Sequence, residues 1–168
     1  MKKIFFIRHA KSDWSVSGLP DIDRPLNQRG YSDAHRIGAQ LKKNISAQTL
    51  FVTSPAIRAM STALIIARET GYPQGKFLIC PELYEAEATD YETIIRAFDN
   101  QFDNAWIFGH NPTISEVISR FLRTDNGEIS TCNVCVLKLE IINWPEAGRS
   151  KGQIEFQLSP KTLSDQSH

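Results

Sequence analysis

Short apolar runs, each followed by a stretch of helical periodicity, constrain this chain more than any other feature. Ile4-Phe5-Phe6-Ile7, Leu50-Phe51-Val52 and Ala105-Trp106-Ile107-Phe108 are apolar at every position rather than at alternate ones. A strand of that kind needs cover on both faces, the condition of a central strand in a parallel sheet. Residues 27–43 then place Tyr31, Ala34, Ile37 and Leu41 at spacings of three and four behind Asn27, a good N-cap. A helical stretch after Ser54-Pro55 stops at Gly71. Another begins after Gly109-His110, with Asn111 expected as N-cap and Pro112 in the first turn.

Residues 3–7, 50–53, 77–80 and 105–108 are therefore read as strands and 90–100 as a further helix. Residues 133–143 and Gln153–Leu158 have a strand pattern, separated by a loop over 144–152 rich in Pro, Gly and charge. The alternation predicts a single-domain α/β fold: a mostly parallel sheet flanked by helices, with an antiparallel C-terminal hairpin at one edge. A length of 168 residues suits one core. The domain is expected over 1–159, and 160–168 as a polar, frayed tail.

Formal net charge is zero, from 19 basic and 19 acidic side chains. A nucleic-acid binder should carry a basic excess, so no such partner is expected. No run approaches the ~20 apolar residues needed to span a bilayer, so no membrane partner is expected. The 4–7 run is too short for a signal peptide and stops at Arg8. Three cysteines without a framework spacing point to reduced thiols and a cytoplasmic location. A monomer is expected.

His9 follows the first predicted strand and His110 the fourth; Arg8 precedes His9, and Arg58 opens the helix after residues 50–53. Ligands of open parallel sheets bind beyond the carboxyl ends of strands. A lone strand-end His or Arg is more often a surface residue. Four at three strand ends make a suitable environment for a dianionic phosphoryl group.

These residues carry a resemblance. Arg8-His9-Ala10-Lys11-Ser12 resembles the Arg-His-Gly opening of the histidine phosphatase superfamily, with its phosphoglycerate mutase-like fold. Pro25-Leu26-Asn27-Gln28-Arg29-Gly30, Thr53-Ser54-Pro55-Ala56-Ile57-Arg58-Ala59 and Gly109-His110-Asn111-Pro112 resemble its next three landmarks, in order. Length and Asp23-Arg24-Pro25-Leu26 are most similar to the compact SixA-type phosphohistidine phosphatases.

The resemblance implies that His9 is a nucleophile phosphorylated in turn, that Arg8, Arg58 and His110 hold the phosphoryl group, and that Ser12 touches substrate. It makes Glu85 the candidate general acid, with Glu82 the second choice in Pro81-Glu82-Leu83-Tyr84-Glu85. The family has Gly after its nucleophile where this chain has Ala10, so a required positive φ would strain the loop. Chemistry agrees with these roles: neutral imidazole is nucleophilic near neutral pH, and arginine forks match phosphoryl oxygens. His110, if protonated beside the phosphoryl group, would add charge where it accumulates in the transition state.

No cofactor and no metal are expected, since no carboxylate cluster has metal-ligand spacing. Residues 71–76 imitate a P-loop but are one residue short, and Cys132-Asn133-Val134-Cys135 lacks a second pair for zinc. His35 reads as a solvent-facing helix residue and His168 as part of the tail. The expected function is a phosphatase acting on phosphohistidine in a protein. The alternatives are a small-molecule phosphomonoesterase or sugar-phosphate phosphatase and, from another class, an inactive phospho-ligand binding module.

Overall fold

A computed structural model describes residues 1–165. Six strands form one sheet in the order β3-β2-β4-β1-β5-β6: β1 Lys2–Arg8, β2 Thr49–Thr53, β3 Leu78–Ile79, β4 Asn104–Gly109, β5 Val134–Leu139 and β6 Gln153–Leu158. β1 pairs parallel with β4, and β2 pairs parallel with β4 and β3. β5 runs antiparallel to β1 and to β6, closing the sheet with the expected hairpin.

Period two along the strands divides the core. Phe5, Ile7, Phe51 and Trp106 face α1 (Gln28–Leu41) and α2 (Ile57–Thr70), meeting Ile37 and Ile66. Ile4, Phe6, Val52 and Ile107 face α3 (Ala88–Arg96) and α4 (Thr113–Leu122), meeting Tyr91, Val117 and Phe121. Both faces are covered, which explains why these strands are apolar at every position.

Several boundaries differ from expectation for local reasons. α3 starts at Ala88 rather than at 90 because the Asp90 carboxylate accepts from the Glu87 N–H. It ends at Arg96, short of 100. Pro112, not Asn111, is the N-cap of α4, because the Asn111 side chain is used elsewhere: its amide donates to the Ile129 carbonyl and its oxygen accepts from Ser115. β5 stops at Leu139, which pairs with Lys2 at the very start of β1, so no partner remains to carry it to 143. The chain then turns through a short 3₁₀ segment, Trp144–Glu146, whose buried indole donates to the Phe102 carbonyl.

The expected frayed tail is instead helical over Pro160–Asp165 (α5), with Leu163 buried against the α1 side of the core. His168 lies outside the described residues. His35 is exposed as expected, but it pairs with Glu69 across α1 and α2 at 2.7 Å. Among the described residues, no helix is long and apolar enough to cross a membrane.

Gly30, in the first turn of α1, sits directly on the loop after β1. Asn27 caps it through its side chain, and the Asn27 N–H donates to the Lys11 carbonyl. A Cβ at position 30 would collide with that same Lys11 carbonyl, a backbone atom that cannot swing away. Gly30→Ala is therefore expected to lose about 1–3 kcal/mol of stability in urea denaturation, because helix and loop must separate. An unchanged midpoint would show that the two are not locked together.

Candidate active site

The carboxyl ends of β1, β2 and β4 share one edge, and their ladders continue past the strands. The His9 N–H donates to the Gly109 carbonyl, and the Ser54 N–H donates to the Phe108 carbonyl. Backbone pairing thus brings His9, Ser54 and His110 together, with the rings of His9 and His110 5.2 Å apart. Arg8, His9, Ser12, Arg58 and His110, all expected from sequence, line one cavity of about 250 Å³, with Lys11, Trp14 and Arg24.

His9 is 8% exposed. Its Nδ1 lies 2.8 Å from the Ala10 carbonyl, which can only accept, so Nδ1 carries the proton and Nε2 keeps its lone pair. Ala10 is buried, and its N–H donates to Thr62 Oγ1, which donates to the Arg58 carbonyl. Among the described residues, the non-glycine residues with positive φ are Glu85, Arg123 and Cys132. Ala10 is not one of them. The loop does not need glycine after His9, and the expected strain does not arise.

Arg8, Arg58 and His110 are each tied on one side and leave a nitrogen free on the other. Arg8 Nη1 donates to the Ile129 carbonyl at 2.8 Å. Arg58 Nη1 and Nη2 donate to the Asp21 carbonyl and carboxylate at 2.6 and 2.9 Å. His110 Nε2 meets Ser54 Oγ at 2.8 Å. Arg8 Nε, Arg58 Nε and His110 Nδ1 are buried without partners. Buried polar atoms normally find a partner, and a ligand with several oxygens is a natural one for the two guanidinium N–H groups beside the His110 ring. Ser12 Oγ accepts from Arg24 Nη1 at 3.3 Å, which leaves its own proton available.

A second lobe of about 270 Å³ adjoins through Arg58, His110 and Asn111, and is lined by Asp21, Tyr84 and Glu85 among others. Glu85 thus lies beside the site, with an exposed side chain on a backbone of φ 55°. Glu82 is turned away: its carboxylate accepts from the Cys80 thiol and lines neither lobe.

Burial, with the charges of Arg58, Arg8 and Arg24, pushes His9 down to about 4 against the raising effect of the Ala10 bond. Burial, then His9, Arg58 and Arg8, pushes His110 down to about 3, opposed by Asp21. Both imidazoles are neutral in the ligand-free protein at pH 7, so His110 is not imidazolium before an anion arrives. Burial pushes Asp21 up, but hydrogen bonds from Tyr84 and Arg58, the Arg58 charge and the Arg24 bond hold it at about 2.

Sequence reasoning passed over Asp21, Arg24, Ser54, Tyr84 and Trp14. Asp21-Ile22-Asp23-Arg24 was a visible charge run, but nothing in its spacing says that Asp21 would accept from Arg58, Arg24 and Tyr84 at once. Among the described residues, no group of three or more His, Cys, Asp or Glu stands close enough to hold a metal ion.

Comparison with known proteins identifies the family of the chain. Residues 4–123 match the histidine phosphatase superfamily (branch 1). An uncharacterized chloroplast protein of Arabidopsis thaliana is 26% identical over 99% of this chain and 79% of its own. The structure of the protein histidine phosphatase SixA complexed with tungstate superposes with a TM-score of 0.80 at 20% identity, covering 96% of this chain and 99% of that one. A mycobacterial glucosyl-3-phosphoglycerate phosphatase superposes with a TM-score of 0.66 at 14% identity, over 92% and 97% of the two chains. The chain belongs to the histidine phosphatase superfamily and is a histidine-type phosphatase.

Histidines that are neutral when folded but charge when unfolded make stability depend on pH. The unfolded chain binds more protons between the unfolded value of 6.5 and the folded values of about 4 and 3, so stability rises with pH through that window. Denaturation between pH 4 and 7 should show a rising slope that flattens above 6.5 and is reduced in His9→Asn. A slope unchanged by that substitution would mean that His9 titrates normally in the fold.

Proposed function

We propose that this phosphatase hydrolyses phosphohistidine in a protein substrate through a phosphoryl group carried transiently on His9. One observation carries the reading: a neutral imidazole with an available Nε2 shares its cavity with two buried, unpartnered guanidinium N–H groups, on Arg8 and Arg58, and the unpartnered Nδ1 of His110. The arrangement suits an electrophilic phosphorus held by two guanidinium donors and a second imidazole next to a nucleophile.

In the first step His9 Nε2 attacks phosphorus in line and a new N–P bond forms, while the substrate ring, protonated on its other nitrogen, leaves as neutral imidazole with the electron pair of the broken P–N bond. Phospho-His9 keeps its Nδ1 proton, donated to the Ala10 carbonyl. In the second step water attacks phospho-His9, the N–P bond breaks towards His9, and inorganic phosphate is released. The arriving dianion favours protonation of His110 and strengthens its hydrogen bond as charge accumulates. A phosphohistidine ring titrates on its free nitrogen near neutral pH, with an imidazole reference pKa of ~6.5, so it takes that proton from solvent and departs as neutral imidazole without an acid aimed at the leaving atom. Trp14, 75% exposed at the cavity rim with the Arg24 guanidinium 3.4 Å from its ring centroid, offers an aromatic surface to a protein partner.

A second reading is hydrolysis of small phosphate monoesters, favoured by Glu85 in the adjoining lobe. Alkoxide leaving groups need a proton in the transition state, and Glu85 is the carboxylic acid available to supply it.

His9→Ala is expected to abolish turnover of both substrate types. Arg58→Lys should be nearly as damaging as Arg58→Ala, with about 10²–10³-fold lost in kcat, because lysine has no Nε–H to present while its tip is tied to Asp21. Near-normal turnover in the lysine variant would show that Arg58 acts through charge alone.

Glu85→Gln separates the two readings: ester hydrolysis should fall by about 10²-fold or more while phosphohistidine turnover changes little. Equal losses on both would remove the leaving-group argument. Faster turnover of a sugar phosphate than of any phosphohistidine protein would favour the second reading.

A further inference from the structure

Ser54 lies at the end of β2, its side chain fully buried and outside every role assigned above. Its backbone is fixed twice, by its N–H to the Phe108 carbonyl and by its own carbonyl, which accepts from Thr53 Oγ1. Its hydroxyl oxygen accepts from the Ala56 N–H at 3.3 Å and lies 2.8 Å from His110 Nε2. The hydroxyl has one proton, and His110 Nε2 is the ring nitrogen within reach of it.

Two arrangements fit the distance alone. Either the Ser54 hydroxyl donates to a bare Nε2, or a protonated Nε2 donates to the hydroxyl oxygen. The other ring nitrogen decides between them. Nδ1 is buried and has no partner in the protein. A dianionic phosphoryl group can only accept, so Nδ1 serves it only if it carries the proton. In a neutral ring Nε2 is then bare, and Ser54 must be the donor.

We propose that Ser54 is a positioning residue that donates its hydroxyl proton to His110 Nε2 and so holds the ring in the Nδ1–H tautomer required for binding a phosphoryl oxygen. This rests on the phosphatase reading of the site but adds a proton assignment to it. Neutral imidazole without such a partner favours the opposite tautomer or a mixture, and a ring in the wrong tautomer presents a lone pair to an anion. Ser54 thereby lets His110 donate a hydrogen bond before it gains any charge. The second proton, when it comes, goes to Nε2, and the hydroxyl rotates to accept it. No backbone movement is needed for that switch.

The test uses ¹⁵N-histidine-labelled full-length protein and long-range ¹H–¹⁵N correlation at pH 7, where His110 is neutral. Wild type should show His110 protonated on Nδ1 with Nε2 as a hydrogen-bonded acceptor. Ser54→Ala should shift the population towards Nε2–H and reduce kcat/KM by about 10–100-fold, while Ser54→Thr keeps the wild-type tautomer. In the His110→Ala background, Ser54→Ala should cost almost nothing more, since the residue through which Ser54 acts is gone. An Nε2-protonated His110 in wild type overturns the proposal, as does an undiminished Ser54→Ala effect in the His110→Ala protein. Because the tautomer is read without turnover, that result would leave the phosphatase assignment standing; a failure of His9 to carry phosphate would overturn the phosphatase assignment instead.

Discussion

Parallel pairing of β1 with β4 is the interaction on which the site depends. Its register sets Arg8 against Gly109, and the next hydrogen bond, from the His9 N–H to the Gly109 carbonyl, fixes the first residue beyond the strand. The two imidazoles lie 5.2 Å apart because two buried strands end level. Apolar side chains on both faces hold that register, since a slip by one residue would turn Phe5 and Ile7 into the space of Ile4 and Phe6. Gly109 shows how tight the end is: a Cβ there would strike the Tyr91 hydroxyl, which accepts from the His110 N–H.

Around this frame the charges are arranged so that the arginines are held but not spent. Asp21 accepts both terminal nitrogens of Arg58 through its carbonyl and carboxylate, and its other carboxylate oxygen accepts from Arg24. The Ile129 carbonyl does the same for one nitrogen of Arg8. Side chains fixed in this way lose little entropy when an anion arrives, and the donors they leave are already oriented. Burial, together with the same cations, keeps both histidines neutral, so that a positive field suited to an anion also leaves the lone pair of His9 free.

The sequence was legible where the physics is local or periodic. All-apolar runs marked β1, β2 and β4, and the segments just past them marked His9, Arg58 and His110, because a parallel sheet sends its strand ends to one edge. It was less legible where a long-range partner decides. α5 was missed because Leu163 is one apolar residue in a polar stretch, and its burial against the core cannot be read from its neighbours. Asn111 has the composition of an N-cap, yet its side chain serves Ile129 and Ser115. Ala10 posed a difficulty only while its backbone conformation was inferred from a family pattern; Thr62 takes its N–H without any left-handed turn. Asp21 was passed over because a carboxylate that accepts from three side chains belongs to three separate parts of the sequence.

The central claim is that phosphate passes through one nitrogen of one residue. The Ala10 carbonyl occupies Nδ1 of His9, which leaves Nε2 as the nitrogen that would carry a phosphoryl group. Rapid acid-free quenching during turnover, followed by mapping of the phosphorylated peptide and its phosphohistidine isomer, reads this directly. The account predicts an alkali-stable, acid-labile phosphoryl group on Nε2 of His9. Phosphate on Nδ1, on another side chain, or transferred to water with no enzyme-bound intermediate would contradict it.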